Sequence, residues 1–216
     1  MRFDLDQLEK PIAYKLLAAT VMPRPIAWIT TLDTQGRVNA APYSFFNAMG
    51  AAPPTVAVGM LSKPDKGLKD TPGNILATGE FVVNLVSYDV VEQMNITALD
   101  APFGVDELKL AGLTTTPSEH ISPPCIVESP VSFECVNLST VVTGPNQTIV
   151  IGRVLAIHVD DHHIQDADQG YIDTPSLDLV GRSFGSEYVR TTDRFDLQRP
   201  TWQDWIKTHP EDDNHA

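Results

Sequence analysis

Four stretches of this chain carry residues whose types and spacing could do chemistry. The first runs from Arg24 to Asn47, RPIAWITTLDTQGRVNAAPYSFFN. Ala40, Ala41 and Pro42 are small, and Pro42 lacks an N–H, so backbone there can approach a flat ligand closely. Ser44 adds a short hydroxyl, Phe45 a flat face and Asn47 an amide that could donate to a ligand oxygen. Taken alone, the same residues are also an ordinary strand with a proline at its edge and aromatics turned to a core.

The second stretch, Ser62 to Pro72, suits an anion. Thr71 is a natural N-cap and Pro72 a natural first helical residue, so a helix should start there with unpaired N–H groups and the positive end of its dipole. Lys69, with Ser62 and Lys63 upstream, supplies countercharge for a terminal phosphate. Asp70 has the wrong sign and suits capping or pairing with a base. A solvated loop before a capped helix would look the same.

The third, His158 to Asp168, mixes His and Asp as metal sites do. Its spacing fits no ordered ligand motif, and no metal is expected. The fourth, Gly181 to Tyr188, brackets Arg182 between Gly181 and Gly185 and ends in Tyr188. Two flexible glycines suit a loop that closes on a ligand. A surface turn with a core tyrosine is the plainer alternative. No GxGxxG occurs, so a Rossmann nicotinamide domain is not expected.

The elements that must hold these residues are mostly β. Strand patterns cover 25–31, 37–46, 55–60, 80–86, 131–143 and 148–159, with a turn at Asp33–Gly36 and another at Gly144–Gln147. Helices are expected at 72–78 and 89–99, the second capped by Ser87 or Asp89. Residues 114–130 are rich in Pro, Ser and Thr and suit an extended loop. Six strands in hairpins imply an antiparallel barrel or sandwich. Residues 1–200 form one domain, and 201–216 a short helix packed on the body followed by an acidic, disordered ending.

Composition narrows the function classes. The chain has 216 residues, 42% hydrophobic, and a net charge of −13. Such a charge repels nucleic acid and anionic lipid, and leaves any phosphate site to a few local cations and backbone amides. No run of about 18 apolar residues could span a membrane, and the acidic start lacks an export pattern, so a cytoplasmic location is expected. Cys125 and Cys135 sit among apolar neighbours and should be buried, inert thiols.

The first stretch resembles the flavin reductase-like family of FMN-binding split barrels. The R-P-x-x-x-Ile-Thr-Thr strand, the D-x-x-G turn and the N-x-A-P-Y-S-x-F-N run occur in order. The likeness continues through Lys69-Asp70-Thr71 with Asn74, through Ile157 to Asp161, and through Gly181-Arg182 with Tyr188. It implies a six-stranded antiparallel Greek-key split barrel with peripheral helices. It also implies FMN bound by Arg24, Ala41, Pro42, Tyr43, Ser44, Phe45 and Asn47, with Ser62, Lys63, Lys69 and Thr71 at the phosphate. Arg182, His158 and Tyr188 would then act near the flavin or nicotinamide. The implied activity is hydride transfer from NADH or NADPH to FMN, in a homodimer that could supply a flavin-dependent monooxygenase. A fixed-FMN reductase for an organic or disulfide acceptor, a non-catalytic carrier like flavoredoxin, and a pyridoxamine-phosphate-oxidase-like enzyme are the alternatives.

Overall fold

A computed structural model describes residues 1–62, 68–102, 104–210 and 212. Seven segments form one antiparallel sheet: β1 (Ala27–Leu32), β2 (Val38–Tyr43), β3 (Phe45–Ala51), β4 (Pro54–Leu61), β5 (Glu80–Asn84), β6 (Val131–Gly144) and β7 (Gln147–Val159). Their order is β2-β1-β5-β6-β7-β4-β3. The two outer segments, β2 and β3, are consecutive in the chain and separated only by Ser44. One long run therefore leaves one edge of the sheet, turns a corner at Ser44 and returns along the other, which wraps the sheet into a split barrel. The strand expected over 37–46 breaks at this corner and continues to Ala51, so six expected strands appear as seven segments.

Local chemistry accounts for the hairpins. Gly36 takes φ +77° between β1 and β2, a conformation that L side chains avoid. The Asp33 carboxylate accepts from Gln35 N (2.8 Å) and Arg37 N (2.9 Å), closing the turn. β1 is buried on both faces from Ala27 to Thr31, as a central strand must be. Ile29, Val58, Phe81 and Val150 meet inside the barrel, while Trp28, Met94, Leu108 and Ile126 form a second core outside it. Cys125 and Cys135 are buried and free, and burial pushes both thiols up.

The helices depart further from expectation. α1 (Lys10–Thr20) was not expected, although Pro11 in its first turn and the run IAYKLLAAT favour it. α2 (Asp70–Thr78) begins earlier than expected. Lys69 occupies its cap position with no side-chain cap bond, and Thr71 lies inside the helix rather than capping it. Residues 88–96 form a 3₁₀ turn (Tyr88–Val90) and α3 (Val91–Ile96), shorter than the helix expected to residue 99. α4 (Glu107–Leu110), also not expected, is capped by the Asp106 carboxylate. α5 (Trp202–Thr208) forms, with Ile206 half-buried and none of its residues fully buried. Trp205 stacks on His209 with centroids 4.0 Å apart. Apart from Asp212, the acidic ending lies outside the described residues, as do Lys63 and residues 64–67. Among the described residues no helix is long and apolar enough to cross a membrane.

A separate three-stranded sheet sets Val180–Arg182 between Arg24–Pro25 and Tyr188–Arg190. Gly181 is there for close approach rather than for flexibility: a Cβ would lie 2.9 Å from Pro23 Cβ. Gly152, at an irregularity in β7, is more constrained still, since a Cβ would lie 2.4 Å from Cζ of the fully buried Phe81. Gly152→Ala should destabilise the fold by about 2 kcal/mol, the usual scale for overpacking a core. Denaturant unfolding checks this, and an unchanged midpoint would show that Phe81 has room to move.

Candidate functional site

A cavity of about 320 Å³ opens where β2, the start of α2, the 97–102 loop and α4 meet. Asn39 organises it. Its Oδ1 accepts from Thr71 Oγ1 (2.7 Å) and Thr31 Oγ1 (3.3 Å), and its Nδ2 donates to Glu107 Oε2 (3.2 Å). The Ala40 N–H also donates to Glu107 Oε2 (3.1 Å), and Asn74 Nδ2 donates to Thr31 Oγ1 (3.0 Å). All five side chains are buried, and no buried side-chain polar atom among the described residues lacks a partner. The 97–102 loop is fixed by Thr97, whose hydroxyl accepts from Trp28 Nε1 (2.9 Å) and donates to Met94 O (2.7 Å).

The cavity has two chemical characters. Ala41, Pro42 and Tyr43 give it a wall with small side chains and one aromatic ring. Burial pushes the Tyr43 hydroxyl up to about 12, against the opposing hydrogen bond with Thr71. Lys69, Asp70 and Thr71 bring the beginning of the nine-residue α2 to the same space. N–H groups in a first turn have no helical acceptor, so those of Asp70 and Thr71 are available to an anion beside the Lys69 ammonium. Asp70, Asp100 and Glu107 also line the cavity, which confines any anion to the Lys69 end. Burial raises the Glu107 carboxyl, although the Ala40 and Asn39 donors oppose this. This donor set fits a phosphate at one end and a flat ring along β2.

Of the residues singled out in the sequence, Ala41, Pro42, Tyr43, Lys69 and Thr71 are brought together here. The Thr71 hydroxyl is committed to Asn39, which leaves its backbone N–H for a ligand. Arg24, Ser44, Phe45 and Asn47 lie round the corner, lining a mainly apolar cavity of about 440 Å³ with Leu17, Val21 and Met49. Arg24 is buried, and its guanidinium donates to the carbonyls of Ala18, Val21 (2.6 Å) and Ser183 (2.8 Å), with Ser44 Oγ at 3.5 Å. Those contacts tie the end of α1 to the corner of the barrel. The Asn47 Oδ1 accepts from Ala48 N (2.8 Å).

Arg182, in register with Arg24 and Tyr188, lines neither cavity. Its guanidinium lies 4.5 Å from the Tyr188 ring centroid and donates to Gly185 O. The nearby Asp178 pairs with Arg190. Glu187 Oε2 accepts from Ser183 Oγ at 3.5 Å. His158 lies apart from all of these, in a third cavity with Cys125 and Ser132. Its Nε2 is 2.6 Å from Oε1 of the fully buried Glu134. Beyond β7, Asp160, His162 and His163 place one potential ligand atom each within 4.8 Å, and His163 is tied to Ser176 Oγ (2.5 Å). Sequence reasoning missed Glu107, whose only local sign is an acidic residue just after the Asp106 cap.

Comparison with known proteins agrees with this architecture. Residues 19–177 match the flavin reductase like domain. An uncharacterized protein of Deinococcus radiodurans is 40% identical over 208 residues, 94% of this chain and 91% of its own length. Nitrilotriacetate monooxygenase component B from Bacillus cereus is 33% identical with a TM-score of 0.86, over 91% of this chain and 98% of that one. The 2-nitrobenzoate 2-nitroreductase of Pseudomonas fluorescens is 32% identical with a TM-score of 0.86, over 94% of this chain and 98% of that one. The chain belongs to the flavin reductase-like family.

Glu134 makes a pH prediction. Burial raises its carboxyl, but the Glu119 and His120 backbone N–H donors (2.8 and 2.7 Å) and His158 outweigh it and hold it below the usual range. A lowered folded value means that the carboxylate stabilises the fold above its unfolded value, and that this is lost as pH falls through the folded value. Wild-type unfolding followed from neutral pH into acid should lose stability that Glu134→Gln already lacks, so the two curves converge at low pH. A gap that stays constant would show that the charge of Glu134 contributes nothing.

Proposed function

We propose that this member of the flavin reductase-like family binds FMN non-covalently along β2 and acts as an oxidoreductase fed by NADH or NADPH. The observation that carries this is the cavity joining the Ala41-Pro42-Tyr43 wall to Lys69 and the open first turn of α2. Bound FMN would supply a ring able to take a hydride from a reduced nicotinamide and pass the electrons on. The chain's own residues hold and tune it. Lys69 and the N–H groups of Asp70 and Thr71 hold the phosphate, with Ser62 and Lys63 upstream. Ala41 and Pro42 let the backbone approach the ring, and Tyr43 gives a flat neighbour whose hydroxyl stays protonated. Arg182, fixed over Tyr188, lines neither cavity and would favour a reduced ring only through the field of its fixed charge. His158 is too separate from this wall to be assigned a contact with the ring.

The corner cavity supports a homodimer. Leu17, Val21 and Met49 line it and are each more than half exposed, at 52%, 53% and 61%. A second copy covering them would enclose the ring end beside Ser44, Phe45 and Asn47. Likeness to a monooxygenase component B supports a chain that hands reduced flavin to a monooxygenase. Likeness to a nitroreductase favours a second reading, in which FMN stays bound and an organic acceptor takes the electrons. A cytoplasmic location and a single domain over 1–200 complete the proposal.

Four measurements test it. Lys69→Ala should weaken FMN binding roughly ten- to a hundredfold, the scale of a lost charge-assisted contact, while riboflavin binding changes little. Equal losses would place the phosphate elsewhere. NADH or NADPH should bleach the bound flavin anaerobically. Bleaching by dithionite alone would leave a flavin carrier. Retention of FMN through gel filtration, with turnover of a nitroaromatic, would select the second reading. Arg182→Ala should make the flavin potential more negative and barely move the melting temperature. An unchanged potential with a lower melting temperature would make Arg182 a support for the Tyr188 turn.

A further inference from the structure

Glu107 is buried, at 5% exposure, yet it lines the cavity. Its Oε2 takes both structural donors, Asn39 Nδ2 and Ala40 N. Among the described residues the carboxylate otherwise takes only its own backbone N–H. Glu107 lines the cavity, so the carboxylate keeps a lone pair for a ligand donor. Withdrawing a carboxylate from water this far is costly unless its oxygens are well hydrogen-bonded, so a further donor from a ligand is favourable there.

Its position along β2 identifies the donor. The Asn39–Ala40 step, where Glu107 attaches, adjoins Thr71 in the first turn of α2, and Ala41 to Ser44 run on from it to the corner. The five residue steps from Asn39 to Ser44 span roughly 16 Å at a strand's rise. A ligand lying from Lys69 towards Ser44 crosses Glu107 between its anionic end and its ring. Another anion there would be repelled by Glu107, Asp70 and Asp100, and an apolar group would leave that lone pair without a donor. A hydroxyl satisfies it.

Resting on the FMN reading above, we infer that Glu107 accepts a hydrogen bond from a hydroxyl of the cofactor's polyol chain and so selects flavins that carry one. This gives the buried acid a place in a cavity that must also accept a phosphate: neutral hydroxyls lie between the two charges. It also divides the labour of recognition, with Lys69 reading the phosphate and Glu107 the chain.

The test uses the intact protein with three flavins: FMN, riboflavin and lumiflavin, the last having the same ring with a methyl group in place of the polyol chain. Affinities are read by flavin fluorescence for wild type, Glu107→Ala and Glu107→Gln, with circular dichroism to verify folding. Glu107→Ala should weaken FMN and riboflavin alike by about tenfold and leave lumiflavin nearly unchanged. Glu107→Gln keeps the size and one acceptor for the Asn39 and Ala40 donors, so it should show a smaller loss with the same pattern, and it carries the test if the alanine variant does not fold. Equal losses for all three flavins would make Glu107 a support for β2 and overturn the inference, as would no loss for any. If wild type binds none of the three, the cofactor reading fails and this inference fails with it.

Discussion

A single buried amide, Asn39, holds the functional end of this molecule together. It lies on β2, yet its side chain reaches α2 through Thr71, β1 through Thr31 and α4 through Glu107. Polar groups this deep must find partners or be expelled, because a buried unpaired hydrogen-bonding group costs on the order of 1–3 kcal/mol. The amide offers donor and acceptor together, so one residue can satisfy two hydroxyls and a carboxylate that would otherwise have no common partner. The position of the α2 first turn relative to the β2 wall follows from that, and so does the shape of the cavity between them.

The second constraint is the corner at Ser44. A sheet that closes through a bent strand needs something to hold the bend, and Arg24 fills that place. Its planar guanidinium reaches three carbonyls from α1 and the small sheet while standing beside Ser44. Arg24 is thus bound up in architecture, though it opens the motif that first drew attention to the region. It also lines the corner cavity beside Ser44 and Phe45. The same small sheet holds Arg182 over Tyr188, which ties that cation to the corner by strand register.

Acidity shapes the site as well. With a net charge of −13, the chain has few cations to give to an anion, and the cavity is lined by more carboxylates than ammonium groups. Backbone N–H groups at a helix start supply positive potential without a side chain, which suits an acidic protein. Elsewhere carboxylates act as acceptors for loop backbone: Glu134, Glu128 and Glu80 all take N–H groups from the 114–122 segment. That segment was expected as an extended loop, and Glu80 and Glu134 from neighbouring strands, with Glu128 from the loop's own far end, give it its form.

The sequence by itself determined the strands, the Gly36 hairpin, the family and the motif residues on β2 and α2. These follow from local rules: period-two alternation, residues that permit a positive φ, and backbone that can approach a ligand. Tertiary structure alone decided which motif residues share a cavity. Ala41 and Phe45 are four positions apart but face different cavities, because the chain turns at Ser44 between them. His158 lies near the end of β7, paired with Ser132 and away from β2, so order in the motif did not bring it to the wall. Glu107 meets Asn39 across 68 positions of sequence. No local pattern marks such a contact, since it exists only after two elements with separate hydrophobic reasons to fold have packed, and the buried acceptor and donor are then left with each other as partners.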